Sequence, residues 1–196
     1  VNDLLDTSRI QAGKLELRVE FADLACLLRE VVEEQSQANP GRAIRMHLPA
    51  TQQALIFADA DRIGQVITNY LTNALKYSVA EGPVEVGLEV EEGTARVWVR
   101  DEGPGLSAEE QEHIWERFHR VPGIEVQSGS GIGLGLGLYI SRAIIEQHHG
   151  QVGVQSTRGA GSTFWFTVPL ATPEPAQEGS QADAPEGEPR AGGRRS

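Results

Sequence analysis

Two asparagines one helical turn apart are the first residues whose types and spacing suggest chemistry. Asn69 and Asn73 lie in the segment 59–78, and Lys76 follows on the same helical face. An asparagine carbonyl oxygen is a hard, neutral ligand that suits Mg²⁺, and a lysine one turn further would meet phosphate charge. The segment therefore suggests a cation and phosphate site. A solvated polar helix face is the alternative for this segment considered by itself.

A carboxylate followed by two glycines lies at the end of a predicted strand. Asp101, Gly103 and Gly105 form the pattern D-x-G-x-G, and glycine at a strand end lets the backbone come close to a flat ligand. The carboxylate could accept a hydrogen bond from an exocyclic amine such as that of adenine. Taken by itself, the pattern is more typical of an ordinary loop.

A stretch of alternating glycine and leucine opens a predicted helix. Gly133, Gly135 and Gly137 alternate with leucines up to Leu138. Backbone amides at a glycine-rich helix N-terminus bind phosphate well. The spacing fits neither G-x-G-x-x-G nor the Walker pattern, so a Rossmann cofactor site and a P-loop are both unsupported. A low-complexity segment is the alternative.

The elements that would position these residues alternate between helices and strands. The predicted helices are 1–13, a segment capped by Asp23, 59–78 capped by Asp59, a short helix through Arg117 opened by the capping box of Ser107 and Glu110, and one ending at Gly150. The predicted strands are 15–17, 44–48, 84–90, 95–99, 152–154 and 164–168. The last four strands form two hairpin-like pairs, which predicts an α/β two-layer sandwich: a mixed sheet with helices on one face.

Composition excludes several classes of protein. The chain has 196 residues, a net charge of −11 and one cysteine, Cys26, so a disulfide framework is excluded, and a structural zinc site and a nucleic-acid partner are not expected. Without a long apolar run or a leader, we expect a cytoplasmic domain. The first residue is Val1 rather than Met, which indicates the C-terminal piece of a longer protein. Residues 171–196 lack large apolar side chains, and this composition predicts a disordered tail.

Five motifs, in order over residues 59–170, resemble the sequence boxes of histidine protein kinases. They are the N box (Asn69 to Tyr77), the first glycine box (Asp101 to Gly105), the F box (Trp115 to Phe118), the second glycine box (Gly133 to Leu138) and the closing G-x-GSTF hairpin (Gly159 to Phe164). Residues 1–17 also resemble the end of the second helix of the dimerisation domain in that family.

The resemblance implies a Bergerat-type ATP-binding fold and a division of the chain. Residues 1–13 would end the dimerisation domain, 14–170 would form the catalytic ATP-binding domain, and 171–196 would be the tail. It implies a protein-histidine kinase that transfers the γ-phosphoryl group of ATP to a histidine upstream of this chain, for relay to an aspartate of a response regulator. The full protein would be a homodimer through the missing helices, with membrane contact only through upstream regions.

The resemblance also assigns roles to single residues. Asn73 would bind Mg²⁺ with support from Asn69, Lys76 would contact phosphate, and Tyr77 would lie beside the nucleoside. Asp101 would bind the adenine amine, with Gly103 and Gly105 beside it. Phe118 would anchor an ATP lid from about His119 to Gly131. The phosphates would be surrounded by Gly133, Gly135, Gly137 and Leu138, and Thr163 would approach adenine through a water.

The phosphoacceptor histidine has no counterpart in this chain. None of the 5 histidines lies in the sequence context of that histidine, and we interpret His148 and His149 as structural or surface residues. A non-catalytic ATP-binding regulatory module of the same fold is therefore the alternative function. An ATPase of the gyrase or chaperone type fits less well, because those families usually carry a glutamate where this helix face has Gln65 and Asn69.

Overall fold

The computed structural model describes residues 2–49, 53–79, 82–121 and 134–171. The helices are α1 (Asn2–Gln11), α2 (Leu24–Ala38), α3 (Ala60–Tyr77), α4 (Ala108–His113) and α5 (Gly137–Gln147). The strands are β1 (Glu20–Asp23), β2 (Ile44–His47), β3 (Leu55–Ala58), β4 (Val84–Glu91), β5 (Thr94–Asp101), β6 (Gln151–Ser156) and β7 (Ser162–Pro169).

The main sheet has five strands in the order β2-β4-β5-β7-β6. Strands β2 and β4 are parallel, and the other neighbours are antiparallel. The two predicted hairpins, β4–β5 and β6–β7, therefore form, and β7 joins them by pairing with β5. This confirms the mixed sheet.

The hydrophobic core lies between this sheet and the helices. Alternation along the strands turns residues such as Val86, Val97 and Phe166 inward, where they are fully or almost fully buried. The apolar stripe of α3 packs onto them, with the ring of Tyr70 6.1 Å from that of Phe166. The predicted two-layer sandwich is confirmed.

Side-chain caps define the helix starts as the sequence predicts. The Asp23 carboxylate accepts from the backbone N–H of Ala25, and the Asp59 carboxylate accepts from that of Arg62. Ser107 and Glu110 form a reciprocal capping box at α4. These contacts satisfy N–H groups that would otherwise lack partners in the first turn of each helix.

Three predicted boundaries are wrong. Residues 15–17 are not a strand: Leu15 is buried, but the strand begins only at Glu20, where β1 pairs with β3, an element not predicted from the sequence. Helix α4 ends at His113 rather than Arg117, and Phe118 has a φ of 59°, which a helix cannot accommodate. Helix α5 ends at Gln147, three residues before Gly150.

Two further expectations from the sequence concern membrane-spanning segments and the C-terminal tail. None of the helices in the described ranges is long and apolar enough to cross a bilayer. The predicted disordered tail falls almost entirely outside the described residues, which end at Ala171, so it stays a prediction.

Candidate nucleotide-binding site

A cavity of about 370 Å³ opens between α3, the end of β5 and the start of α5. Its walls bring together most of the residues predicted from the sequence to bind a nucleotide. These are Asn69, Asn73, Lys76, Tyr77, Asp101, Gly105, Gly135, Gly137 and Leu138. Segments that are distant in the sequence thus meet in one place.

The polar face of α3 forms one wall, and its two asparagines are held differently. Asn69 donates from Nδ2 to Oγ of Ser141 in α5 at 2.9 Å. A Cβ atom on Gly137 would overlap the Asn69 side-chain amide, so only glycine leaves room for this packing. Among the described residues, the Asn73 side-chain amide makes no such hydrogen bond, and Asn73 lines the cavity. Asn69 is therefore positioned by protein contacts, while Asn73 is available to a ligand.

The carboxylate of Asp101 forms the opposite wall and is 6 % exposed. Burial raises the pKa of Asp101 to about 6, and hydrogen bonds from the backbone N–H groups of Gly103 and Ser162 limit the rise. The Gly103 N–H lies 2.8 Å from Oδ1. An ionised carboxylate in a nearly dry site is a strong acceptor for an amine hydrogen of a ligand.

The structure places Thr163 outside the wall of this cavity. Ser162 and Phe164 line the cavity, whereas Thr163 lies between Arg100 and Gln155 on the outer face of the sheet. Successive side chains of a strand point to opposite faces, so the neighbouring Ser162 lines the cavity where Thr163 does not. The Oγ of Ser162 lies 2.8 Å from that of Ser156.

Two other predicted residues, Phe118 and Gly103, do not line the cavity. The Phe118 side chain is 59 % exposed, and its backbone N–H donates to the Gly135 carbonyl at 3.0 Å. Its contact with the glycine segment is thus through the backbone rather than the ring. Gly103 contacts the site only through its N–H, which donates to Oδ1 of Asp101. Gly133 and residues 122–131 of the predicted lid fall outside the described residues, whereas His119 does line the cavity.

Sequence reasoning missed several lining residues. Leu106, Ile114 and Phe164 add apolar surface to the cavity, and Asp3 reaches its edge from α1. The alternation of β7 could have identified Phe164 once the inward face was known. Nothing in the sequence pattern indicated Asp3, because its approach depends on how α1 docks.

Helix α1 docks through a buried cluster of polar side chains. The Asp6 carboxylate, 3 % exposed, accepts from Nη1 of Arg62 at 2.9 Å and from Nε2 of Gln65 at 3.2 Å. The same Nη1 donates to Oε1 of Gln65 at 2.8 Å. Gln65 lies one turn before Asn69, so this cluster connects α1 to the helix that carries the asparagines.

His148 has a structural role, as the sequence suggested for it. Its ring is buried, Nδ1 lies 2.8 Å from the Ile144 carbonyl, and Nε2 accepts from the Asp59 backbone N–H at 2.9 Å. The ring thus joins the end of α5 to the start of α3. His149 is exposed.

Comparisons with known proteins agree with this geometry. Residues 58–172 match the family model described as "Histidine kinase-, DNA gyrase B-, and HSP90-like ATPase". The adaptive-response sensory kinase SasA of Synechococcus sp. (strain JA-3-3Ab) is 34 % identical over 172 residues, which are 87 % of this chain and 45 % of that protein. The sensor protein SrrB of Staphylococcus aureus (strain NCTC 8325 / PS 47) is 29 % identical over 169 residues, 86 % of this chain and 29 % of SrrB.

Solved structures show the same similarity. Full-length ShkA in complex with AMPPNP superposes with a TM-score of 0.75 at 31 % identity, covering 88 % of this chain and 35 % of ShkA. The catalytic domain of the histidine kinase ThkA gives a TM-score of 0.65 at 27 % identity, covering 78 % of this chain and 96 % of that domain. The chain spans less than half the length of the curated relatives it matches.

Proposed function

The chain belongs to the family of histidine kinase-, DNA gyrase B- and HSP90-like ATPases, and on this premise we propose that it is the ATP-binding catalytic domain of a sensor histidine kinase. It binds ATP in the cavity and presents the γ-phosphoryl group to a histidine outside this chain. The similarity to SasA, to SrrB and to an AMPPNP complex of ShkA supports this assignment.

One observation carries the proposal. Asn73, Lys76 and Asp101 face the same cavity, although they come from a helix and from the end of a strand. A lysine ammonium group matches the charge of a triphosphate, and a buried carboxylate matches the amine of adenine. The cavity therefore offers suitable partners for both ends of ATP. Tyr77, next to Lys76, would lie along the nucleoside.

The donors in the cavity fit Mg²⁺. Asn73 presents a neutral amide oxygen, supported by Asn69, and the described ranges hold no group of three or more His, Cys, Asp or Glu side chains that could bind a metal ion. Mg²⁺ commonly takes one or two protein ligands and completes its shell with water and phosphate oxygens. Asn73 is the proposed protein ligand. When bound, the ion would neutralise charge on the triphosphate.

The reaction needs positioning rather than a base from this chain. An imidazole nitrogen of the acceptor attacks the γ-phosphorus while the bond to the β,γ-bridging oxygen breaks, and ADP leaves. Lys76 would stabilise charge on the phosphate oxygens, and the amides around Gly135 and Gly137 would hold them in place. The residues of this chain thus bind and orient, and the nucleophile comes from elsewhere.

The acceptor histidine is proposed to precede Val1, in the helical domain whose end is residues 1–13. Residues 14–170 are then the catalytic domain and 171–196 a tail. A response regulator would receive the phosphoryl group, and the upstream helices would form a homodimer. The domain would act in the cytoplasm, and any membrane contact would come from upstream sequence.

Calorimetric titration of this chain with ATP, with and without Mg²⁺, tests the binding step. We expect Mg²⁺-dependent binding that is lost in Asp101→Ala and retained in Glu102→Ala, which removes the neighbouring exposed carboxylate. Absence of binding to the folded chain would contradict the proposal.

Phosphotransfer is tested in a longer protein that includes the preceding helices. With ATP labelled at the γ-phosphate, we expect acid-labile phosphate on a histidine, lost in Asn73→Ala. ATP binding without acid-labile phosphate would instead favour the non-catalytic module. Repeated hydrolysis of ATP by this chain without any phosphohistidine would favour an ATPase of the gyrase type.

A further inference from the structure

The guanidinium group of Arg42 bonds to the end of α3 and to the segment that follows it. Nη1 donates to the carbonyl of Leu75 at 2.9 Å. Nη2 donates to Oγ of Ser78 and to the carbonyls of Val79 and Gly82, the latter two at 3.2 Å. One side chain from the connection between α2 and β2 thus contacts four acceptors that lie 33 to 40 residues further along the chain.

One of these acceptors, the Leu75 carbonyl, lies in the last turn of α3, and the other three belong to residues that follow the helix. The negative end of the helix dipole favours a cation at this place. The planar fork of arginine can serve several carbonyl oxygens at once, which a lysine cannot do in the same geometry. Arg42 therefore defines where α3 ends and the direction in which the chain leaves it.

The segment that Arg42 holds is also the wall of the nucleotide cavity. Lys76 and Tyr77 lie between its contacts at Leu75 and Ser78, and both line the cavity. Arg42 is not itself among the lining residues. Its effect on a ligand must therefore pass through Lys76 and Tyr77.

Contacts continue from Tyr77 to Asp101. A Cβ atom on Gly103 would lie 2.9 Å from the Tyr77 carbonyl oxygen and 2.7 Å from Oδ1 of Asp101, so this glycine is packed between them. Its N–H donates to the same Oδ1 at 2.8 Å. A shift of the α3 end would therefore press on the loop that orients the Asp101 carboxylate.

We propose that Arg42 is a positioning residue for the nucleoside end of the site: by holding the C-terminal turn of α3, it sets Tyr77 against Gly103 and, through Gly103, the orientation of Asp101. The proposal rests on the proposed function, since it assumes that ATP binds in this cavity with its base near Asp101.

A purely structural role makes a different prediction. If Arg42 only stabilised the fold, its replacement would lower the melting temperature but leave the nucleotide affinity of the folded protein unchanged. If it positions the nucleoside end, affinity falls even where the protein is fully folded. The affinities for ATP and for ADP then fall by the same factor, because both ligands contain the same nucleoside.

The experiment compares Arg42→Ala with Asp23→Ala at a temperature well below both melting transitions. Asp23→Ala removes the N-cap of α2, which is away from the cavity, and lowers the melting temperature. We expect Arg42→Ala to bind both ATP and ADP about tenfold more weakly, a difference of about 1.4 kcal/mol. Asp23→Ala should bind them as the wild type does.

If Arg42→Ala does not fold, the same binding measurement is made on Arg42→Lys. It keeps the charge but not the fork, and we expect it to bind ATP about threefold more weakly. Wild-type affinity in the folded Arg42→Ala protein, or in Arg42→Lys if the alanine variant is unfolded, would overturn the proposal. Equal losses in Arg42→Ala and Asp23→Ala would overturn it too. Failure of the wild-type chain to bind ATP would instead reject the proposed function itself.

Discussion

The side-chain nitrogen Nδ2 of Asn69 lies 2.9 Å from the hydroxyl oxygen of Ser141, and this hydrogen bond joins α3 to α5 at the wall of the nucleotide cavity. Ser141 is buried and Asn69 is half-buried, so the bond is partly shielded from water. It fixes which way the Asn69 amide faces, and it couples the helix that carries the predicted metal ligand to the helix that follows the glycine segment.

Ser141→Ala should weaken ATP binding about threefold to tenfold and lower the free energy of unfolding by about 1 kcal/mol, because the partly buried Asn69 donor loses its acceptor. Calorimetry and denaturant unfolding measure the two effects. Thr94→Ala is the control, since it removes a hydroxyl that bonds to the Glu91 carbonyl in the β4–β5 turn, far from the cavity. Equal affinities of Ser141→Ala and the wild type would show that the orientation of Asn69 is unimportant for binding.

Gly137→Ala should reduce ATP affinity by more than about tenfold, since the added methyl group would overlap the Asn69 amide and displace it. Gly41→Ala is the matched control, because a Cβ atom at Gly41 meets nothing within 4 Å. We expect Gly41→Ala to bind ATP normally. Tight binding by Gly137→Ala would mean that the helix start can move without consequence for the ligand.

Asp101 makes a specific contribution to the pH dependence of stability. Burial raises its pKa from 3.8 to about 6, so between these values the folded protein binds this proton more tightly than the unfolded chain does. The contribution of Asp101 to the free energy of unfolding therefore falls as pH rises from about 4 to about 6, by at most about 3 kcal/mol, and is level above that.

Asp101→Asn should remove this dependence while keeping an acceptor for the Gly103 N–H. The free energy of unfolding of Asp101→Asn minus that of the wild type should be more positive at pH 7 than at pH 4. Urea unfolding at several pH values measures both free energies. Glu102→Gln serves as the control for losing one carboxylate. If the difference between wild type and Asp101→Asn does not change with pH, Asp101 titrates normally in the folded protein.

Ser162→Ala and Thr163→Ala should separate the two faces of β7. Ser162 lines the cavity and Thr163 lies on the outer face, so only Ser162→Ala should weaken ATP binding, by about threefold or more. Both substitutions remove one hydroxyl from neighbouring positions, which makes each a control for the other. A loss confined to Thr163→Ala would support the assignment made from the sequence.

The elements of the main sheet and the helix starts could be predicted because local signals define them. Asp59 caps α3 from its own first turn, and the alternation of Val97 and Val99 marks one face of β5. The strands β1 and β3 could not be predicted in this way. Each has only four residues, and Phe21 finds its partner Phe57 at a distance in sequence that no local pattern reveals.

The site was predictable where helix spacing decides which residues share a face, as for Asn69, Asn73 and Lys76. The sequence did not show that Thr163 lies outside the cavity wall, because a strand's pattern gives its period but not which residues face inward until the sheet is assembled. The set of site residues predicted from the sequence lacked Asp3 and Arg42, because their relation to the cavity depends on contacts between distant segments.

The buried contact of Asp6 with Arg62 and Gln65 bears on where this protein can be divided. A chain shortened to begin at Lys14 would leave Arg62 without its carboxylate partner and would remove Asp3 from the rim of the cavity. The boundary between residues 13 and 14 separates two sequence segments, but the nucleotide cavity extends across it. Affinities measured on such a shortened chain would describe a differently shaped and differently charged cavity.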